Sequence, residues 1–235
     1  MGEVAKKTLI TGSGRCGTLS MSIFLNGTKS TSTNKKIKAG HETKRRELLL
    51  LMRKGDWKNA EKLLSEIKND VEVSPYISLF PENPNREGVT ITLIRDGRET
   101  IRSGMNSGWF LTQSQKTSWE ELSPKFKGDR FEKCCQFWVW VYEKLQKWDT
   151  PFIRLEDIIN QRSDAQSEFL KKLELTPKTN LFPRSNLATQ RKKRVQGLGY
   201  PELNDWNNWS IEQKRYFREK CGNLMKKYYP EVDLD

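Results

Sequence analysis

One short segment near the amino terminus constrains the fold more than any other part of the chain. Residues 7–11 are β-branched or apolar after the first lysine and predict a strand, and the apolar residues 18–25 predict a helix. Between them lies the turn GSGRCG, residues 12–17. A strand, a glycine-rich turn and a helix in this order point several backbone N–H groups at one concavity, where the helix dipole favours an anion. The sequence therefore predicts a phosphate-binding turn.

Strand and helix signals alternate along the rest of the chain. Further strands are predicted at residues 71–73, 89–94 and 152–155, and further helices at residues 42–52, 56–68, 131–148 and after the capping-box pair Ser210 and Gln213. Residues 178–208 lack periodicity and predict a long functional loop. The alternation favours an α/β fold with a central, mostly parallel sheet flanked by helices. The length of 235 residues predicts a single domain, 1–235.

The charge balance predicts an anionic ligand without choosing it. The chain has 42 Lys and Arg against 30 Asp and Glu, a net charge of +12. That surplus suits nucleic acid, membrane headgroups or a phosphorylated or sulfated small molecule. The basic runs at residues 35–38, 44–46 and 191–194 carry no aromatic pattern typical of RNA binding. Composition alone therefore leaves the anion open.

Residue usage excludes several classes of protein. The four cysteines show no CxxC or Cys/His spacing, and His41 is the only histidine, so a multi-histidine metal site is excluded. No apolar run approaches the ~20 residues that span a bilayer. The amino terminus lacks the hydrophobic stretch of a signal peptide. We expect a cytoplasmic protein with reduced cysteines and no membrane span.

The turn meets the nucleotide triphosphatase pattern G-x-x-x-x-G-K-[ST] only in part. Gly12 and Gly17 have the required spacing, but Thr18 stands where lysine belongs and Leu19 where the magnesium-binding hydroxyl belongs. Arg15 supplies positive charge from inside the turn instead. The turn suits a phosphate but lacks the usual machinery for Mg·ATP.

Two motifs together resemble the sulfotransferase family. GSGRCGT, residues 12–18, looks like its phosphosulfate-binding loop, usually G-x-P-[KR]-S-G-T, with Gly14 replacing the proline. IRDGR, residues 94–98, is similar to the family's I-R-D-x-R at a strand end, and Ser103 follows Arg95 by the expected eight residues. GHETK, residues 40–44, is similar to the G-E-E-T-R of the tyrosylprotein branch. That branch has a lysine just before Asp-Pro after its next strand, where this chain has Val73-Ser74-Pro75 and lacks the lysine.

The resemblance implies a P-loop-like, three-layer fold and the donor 3′-phosphoadenosine 5′-phosphosulfate, with adenosine 3′,5′-bisphosphate as product and no metal. Backbone N–H groups of the turn and the Thr18 hydroxyl would hold the 5′-phosphate. Arg95 and Ser103 would hold the 3′-phosphate through a charge-assisted fork and a hydroxyl. The implied donor-binding residues are Gly12, Ser13, Gly14, Arg15, Cys16, Gly17, Thr18, Leu19, Arg95, Ser103, Arg191, Lys192 and Lys193.

Three residues are candidates for the chemistry. Arg15 would stabilise charge on the leaving phosphate, because arginine is too weak an acid to donate a proton. Glu42 is the first candidate for the base that deprotonates the acceptor, and the adjacent His41 is the second. Only one of these two neighbours is expected to point into the site, and Glu42 could instead cap a helix.

Two alternatives from other functional classes stay open. One is a nucleotide-dependent kinase with a divergent phosphate loop, and the other is a basic, non-enzymatic protein that binds nucleic acid or a glycan. For the sulfotransferase, the acceptor would be a small molecule, sugar, lipid or peptide, and no nucleic-acid partner is expected.

Overall fold

A five-stranded sheet organises the first part of the chain. The computed structural model describes residues 7–111, 121–160, 163–176 and 195–235. All strand pairings are parallel, in the order β2-β3-β1-β4-β5. The strands are β1 (Thr8–Thr11), β2 (Ala39–His41), β3 (Val71–Val73), β4 (Val89–Ile94) and β5 (Phe152–Arg154). The predicted α/β fold with a parallel central sheet flanked by helices is confirmed.

The helices of the described chain follow the predicted alternation. They are α1 (Thr18–Leu25), α2 (Arg45–Arg53), α3 (Trp57–Glu66), α4 (Gly97–Asn106), α5 (Arg130–Gln146), α6 (Leu155–Ile159), α7 (Ser163–Lys172) and α8 (Ile211–Tyr228). Short 3₁₀ helices occupy Pro75–Leu79 and Trp206–Asn208, the latter within the segment predicted as a long loop. The part of that segment before residue 195 lies outside the described residues.

The position of β1 in the sheet determines where a ligand can approach. β1 lies between β3 and β4, with Ile10 level with Val73 on one side and Ile91 on the other. These side chains share a buried core with Met21 and Phe24 of α1. The connection after β1 leads to β2 on one side of the sheet, whereas the connection after β4 leads to β5 on the other side. The carboxyl ends of β1 and β4 therefore border a topological switch point, where open α/β sheets bind ligands.

The sequence did not predict β2, and the predicted helix at residues 42–52 begins only at Arg45. Alanine, glycine and histidine have little intrinsic preference for strands. Parallel pairing with β3, in which Gly40 lies opposite Glu72, makes this segment a strand. His41 and Glu42 therefore lie at the carboxyl end of a strand and not in the first turn of a helix.

The chain separates into two compact units. The first contains the sheet, and the second contains α4, most of α5, and α8. Aromatic packing dominates the core of the second unit, for example the edge-to-face pair of Phe131 and Trp209, whose ring centroids are 5.0 Å apart. The predicted capping box of Ser210 and Gln213 is confirmed at the start of α8. A single domain remains a prediction.

The four cysteines are buried and free. Across the described ranges, no group of histidine, cysteine and carboxylate side chains is arranged to hold a metal ion. None of the helices in that same part of the chain has the length and apolar character needed to cross a membrane. The cytoplasmic location remains a prediction from cysteine usage.

In the second unit, the charged form of Lys144 of α5 is disfavoured by burial. Its ammonium nitrogen lies 4.2 Å from the centre of the Trp140 ring, and burial lowers the pKa of Lys144 to about 7. The unfolded chain, with a lysine pKa of 10.5, binds one more proton than the folded chain between these two values. The free energy of unfolding should therefore rise with pH across this window.

We expect Lys144→Met to raise the melting temperature more at pH 6 than at pH 9. Methionine removes the cost of burying an ammonium group. At pH 9 the wild type avoids part of that cost, because its folded state buries the neutral amine. The difference between the two gains should be about 2 kcal/mol, or roughly 4–8 °C. Thermal unfolding at both pH values measures it, with the exposed Lys147→Met as control. An equal rise in melting temperature at both pH values would contradict the lowered pKa of Lys144.

Candidate functional site

The turn between β1 and α1 has the backbone geometry of an anion nest. Gly14, Arg15 and Gly17 have φ values of +78°, +56° and +85°. Left-handed residues in such a turn aim successive N–H groups toward one side. For Arg15, which carries a Cβ, this conformation costs about 1–2 kcal/mol. Strain of this kind is retained mostly at functional sites.

Two glycines of the turn are required by close packing. A Cβ at Gly12 would lie 2.3 Å from the Leu93 carbonyl oxygen of β4. A Cβ at Gly17 would lie 2.7 Å from the Leu155 side chain at the start of α6. The turn is thus pressed against the end of β4 and against α6, which fixes its position at the sheet edge.

The side chains of the turn divide into buried and accessible groups. Ser13 and Cys16 are fully buried, Cys16 as part of the apolar core. The Ser13 hydroxyl donates to the Gly14 carbonyl oxygen at 3.1 Å. Any contribution of these two positions to a ligand would therefore come from the backbone. Arg15 and Leu19 are partly exposed.

Both candidate bases lie in one cluster beside the turn. His41 Nε2 is 3.2 Å from Thr18 Oγ1, at the first residue of α1, and 3.8 Å from Glu42 Oε1. The other carboxylate oxygen of Glu42 is 3.3 Å from Arg45 Nη1. His41 thus contacts the turn, and Glu42 contacts His41. Which of the two neighbours serves as the base stays a prediction. α2 has no side-chain cap, so Glu42 does not cap this helix; its carboxylate contacts Arg45 and His41.

A buried carboxylate that the sequence analysis missed holds this cluster in place. Glu72 of β3 is 1% exposed and accepts a hydrogen bond from the Thr43 amide at 2.8 Å and another from Asn69 Nδ2 at 2.8 Å. These bonds fix the backbone directly after Glu42, whose φ is +52°. The signal was available in the sequence, because a charged residue stands at the centre of the apolar strand VEV.

The second predicted motif begins at Ile94, the last residue of β4, and its residues 95–98 belong to the second unit. Arg95 Nη2 donates to Glu99 Oε2 at 3.2 Å, and Arg102 Nη2 donates to the same oxygen at 2.6 Å. Ser103 follows Glu99 by four residues in α4, which puts both on one side of the helix. Arg98 instead forms a two-pronged ion pair with Asp96, with a shortest distance of 2.7 Å. The sequence analysis missed Glu99, although its spacing from Arg95 suggested an ion pair.

Two further groups of residues from the sequence analysis are Ser74 and the basic residues 191–193. Ser74 is buried, and its hydroxyl accepts from the Tyr76 amide at 3.3 Å, so it caps the 3₁₀ helix Pro75–Leu79. Arg191, Lys192 and Lys193 lie outside the described residues, and their role in donor binding stays a prediction.

Comparison with known proteins supports the fold. No protein-family model matches the chain, and no curated protein matches it. Among solved structures, the chain is similar to the sulfotransferase domain from the curacin biosynthetic pathway, with a TM-score of 0.51 and 10% sequence identity. The match covers 95% of this chain and 98% of that domain. At this identity the likeness shows a sulfotransferase-like, P-loop-like α/β fold.

Proposed function

We propose that this protein is a sulfotransferase that moves a sulfuryl group from 3′-phosphoadenosine 5′-phosphosulfate to a hydroxyl or amine acceptor. One observation carries the proposal: the anion nest at the carboxyl end of β1 is in direct contact with a candidate base through Thr18 and His41. The sulfotransferase-like fold and the two motifs at strand ends support it.

The turn fits the 5′-phosphosulfate end of the donor. Its small residues let an anion approach the backbone, and the N–H groups of residues 14–18 would hold the 5′-phosphate together with the Thr18 hydroxyl. Arg15 adds a permanent positive charge that needs no metal ion to be effective. Arg95 and Ser103 would hold the 3′-phosphate, together with Lys192 and Lys193.

The chemistry at the acceptor requires a base and charge stabilisation. The donor would supply the sulfuryl group: its sulfur forms a bond to the acceptor oxygen, while the bond to the bridging oxygen breaks and leaves its electron pair on the 5′-phosphate. Glu42 accepts the proton of the acceptor hydroxyl, with His41 as the alternative base. Arg15 stabilises the negative charge that grows on the bridging oxygen. The acceptor class, whether small molecule, sugar, lipid or peptide, stays open.

Calorimetric titration with adenosine 3′,5′-bisphosphate tests the proposal. We expect binding without magnesium and a loss of about tenfold to a hundredfold in affinity in Arg95→Ala, because a charge-assisted hydrogen bond to phosphate is removed. Arg86→Ala is the matched control, since Arg86 is 73% exposed and pairs with Glu82. Binding that Arg95→Ala leaves unchanged would contradict the proposal. Magnesium-dependent binding of ATP would favour the alternative of a nucleotide-dependent kinase. Binding to nucleic acid or glycan, without binding of the bisphosphate, would favour the alternative of a non-enzymatic binding protein.

A further inference from the structure

The 3′-phosphate position proposed above already contains a carboxylate. Glu99 Oε2 accepts from Arg95 Nη2 at 3.2 Å and from Arg102 Nη2 at 2.6 Å, so two guanidinium groups converge on one oxygen. Arg102 also forms an ion pair with Asp205 through its other terminal nitrogen. Two arginines meeting at a single oxyanion make the arrangement in which proteins hold phosphate.

The ion pair can be exchanged for a ligand. The side chains of Arg95, Glu99 and Arg102 are 26%, 36% and 34% exposed. Pairs with this degree of exposure contribute at most about 1 kcal/mol, because water screens the charges. A phosphate group that binds Arg95 must either displace the Glu99 carboxylate or lie beside it, and like charges at such short range repel each other.

We propose that Glu99 is an internal counter-ion of the 3′-phosphate position, and this rests on the proposed function. In the absence of ligand Glu99 holds the guanidinium group of Arg95 in place, and it gives way when a 3′-phosphorylated nucleoside binds. Glu99 is therefore a positioning residue that limits affinity for the 3′-phosphate, and it takes no part in the transfer step. Its effect is confined to ligands that carry a phosphate at that position.

Titration of two nucleotides against Glu99→Gln tests the inference. Glutamine keeps the length of the side chain and an oxygen that can accept from Arg102, but it lacks the charge. We expect Glu99→Gln to bind adenosine 3′,5′-bisphosphate about threefold to tenfold more tightly than the wild type. Adenosine 5′-phosphate, which lacks the 3′-phosphate, should bind both proteins with the same affinity.

Glu219→Gln is the matched control, because Glu219 also lies in the second unit, is 64% exposed and pairs with Lys220 at 3.0 Å. It removes the same charge away from Arg95 and should leave both affinities unchanged. Unchanged or weaker binding of the bisphosphate to Glu99→Gln overturns the inference, as does an equal gain for both nucleotides. If Arg95→Ala still weakens bisphosphate binding, the proposed function survives that failure. If the wild type binds neither nucleotide, the proposed function and the inference fail together.

Discussion

Replacing Glu42 with glutamine is expected to lower turnover about 10²–10⁴-fold while leaving affinity for adenosine 3′,5′-bisphosphate nearly intact. The amide cannot accept the acceptor's proton, yet it has the same length and the same Cβ, so the left-handed backbone at φ +52° is not further strained. Turnover is measured by transfer of labelled sulfuryl group from the donor to the best acceptor in a panel of phenols, sugars, lipids and peptides.

Two variants make this result specific. Glu47→Gln removes a carboxylate that is 55% exposed and pairs with Lys44, the residue before α2, and it should retain full turnover. His41→Gln separates the two candidate bases, because His41 contacts Thr18 of the turn and Glu42 contacts His41. Full turnover in Glu42→Gln, with a large loss in His41→Gln, would assign the base to His41.

Gly12→Ala is expected to destabilise the protein by about 1–3 kcal/mol and to weaken bisphosphate binding at least about tenfold. The added methyl group would lie 2.3 Å from the Leu93 carbonyl oxygen and 2.6 Å from Cys16 Sγ. The first of these belongs to the backbone of β4 and cannot move without breaking the sheet, so the turn itself must shift. Shifting the turn separates its N–H groups from the phosphate.

Chemical denaturation and calorimetry measure the two effects of Gly12→Ala. Gly222→Ala is the matched control: a Cβ there meets nothing within 4 Å, and Gly222 lies inside α8. Alanine in an open helical position should stabilise the protein by about 0.5–1 kcal/mol and leave nucleotide affinity unchanged. Wild-type stability and affinity in Gly12→Ala would show that the turn is neither tightly packed nor a binding element.

The elements that the sequence predicted correctly are those with strong local signals. β4 is a run of β-branched and leucine residues, and α3 has a clear helical period beginning at the cap Asp56. The segment from β1 to α1 has a β-branched strand, an apolar helix and, between them, glycines that tolerate positive φ. Such patterns act over a few residues, so they can be recognised without knowing what packs against them.

The candidate site was predictable only in part, because motifs can be recognised in a sequence but the contacts of single side chains cannot. The turn and Arg95 are recognisable because they follow strands and resemble family motifs. Glu72 and Glu99 were missed although the sequence held a signal for each: Glu72 interrupts the apolar strand VEV, and Glu99 follows Arg95 by four residues. Residue type alone does not show that such a carboxylate is buried or paired. Only the structure shows that Glu72 accepts from the Thr43 amide and that Arg95 and Arg102 share one oxygen of Glu99.

The amino-acid sequence by itself determined the class of fold and the glycine-rich turn between β1 and α1, because both arise from short-range preferences for strand, turn and helix. Tertiary structure alone decided that Ala39–His41 becomes a strand, since only pairing with β3 compensates for its weak preference. That pairing places His41 beside Thr18 with Glu42 next to it. The proposed base is thus positioned by a long-range backbone contact and not by the residues around it in the chain.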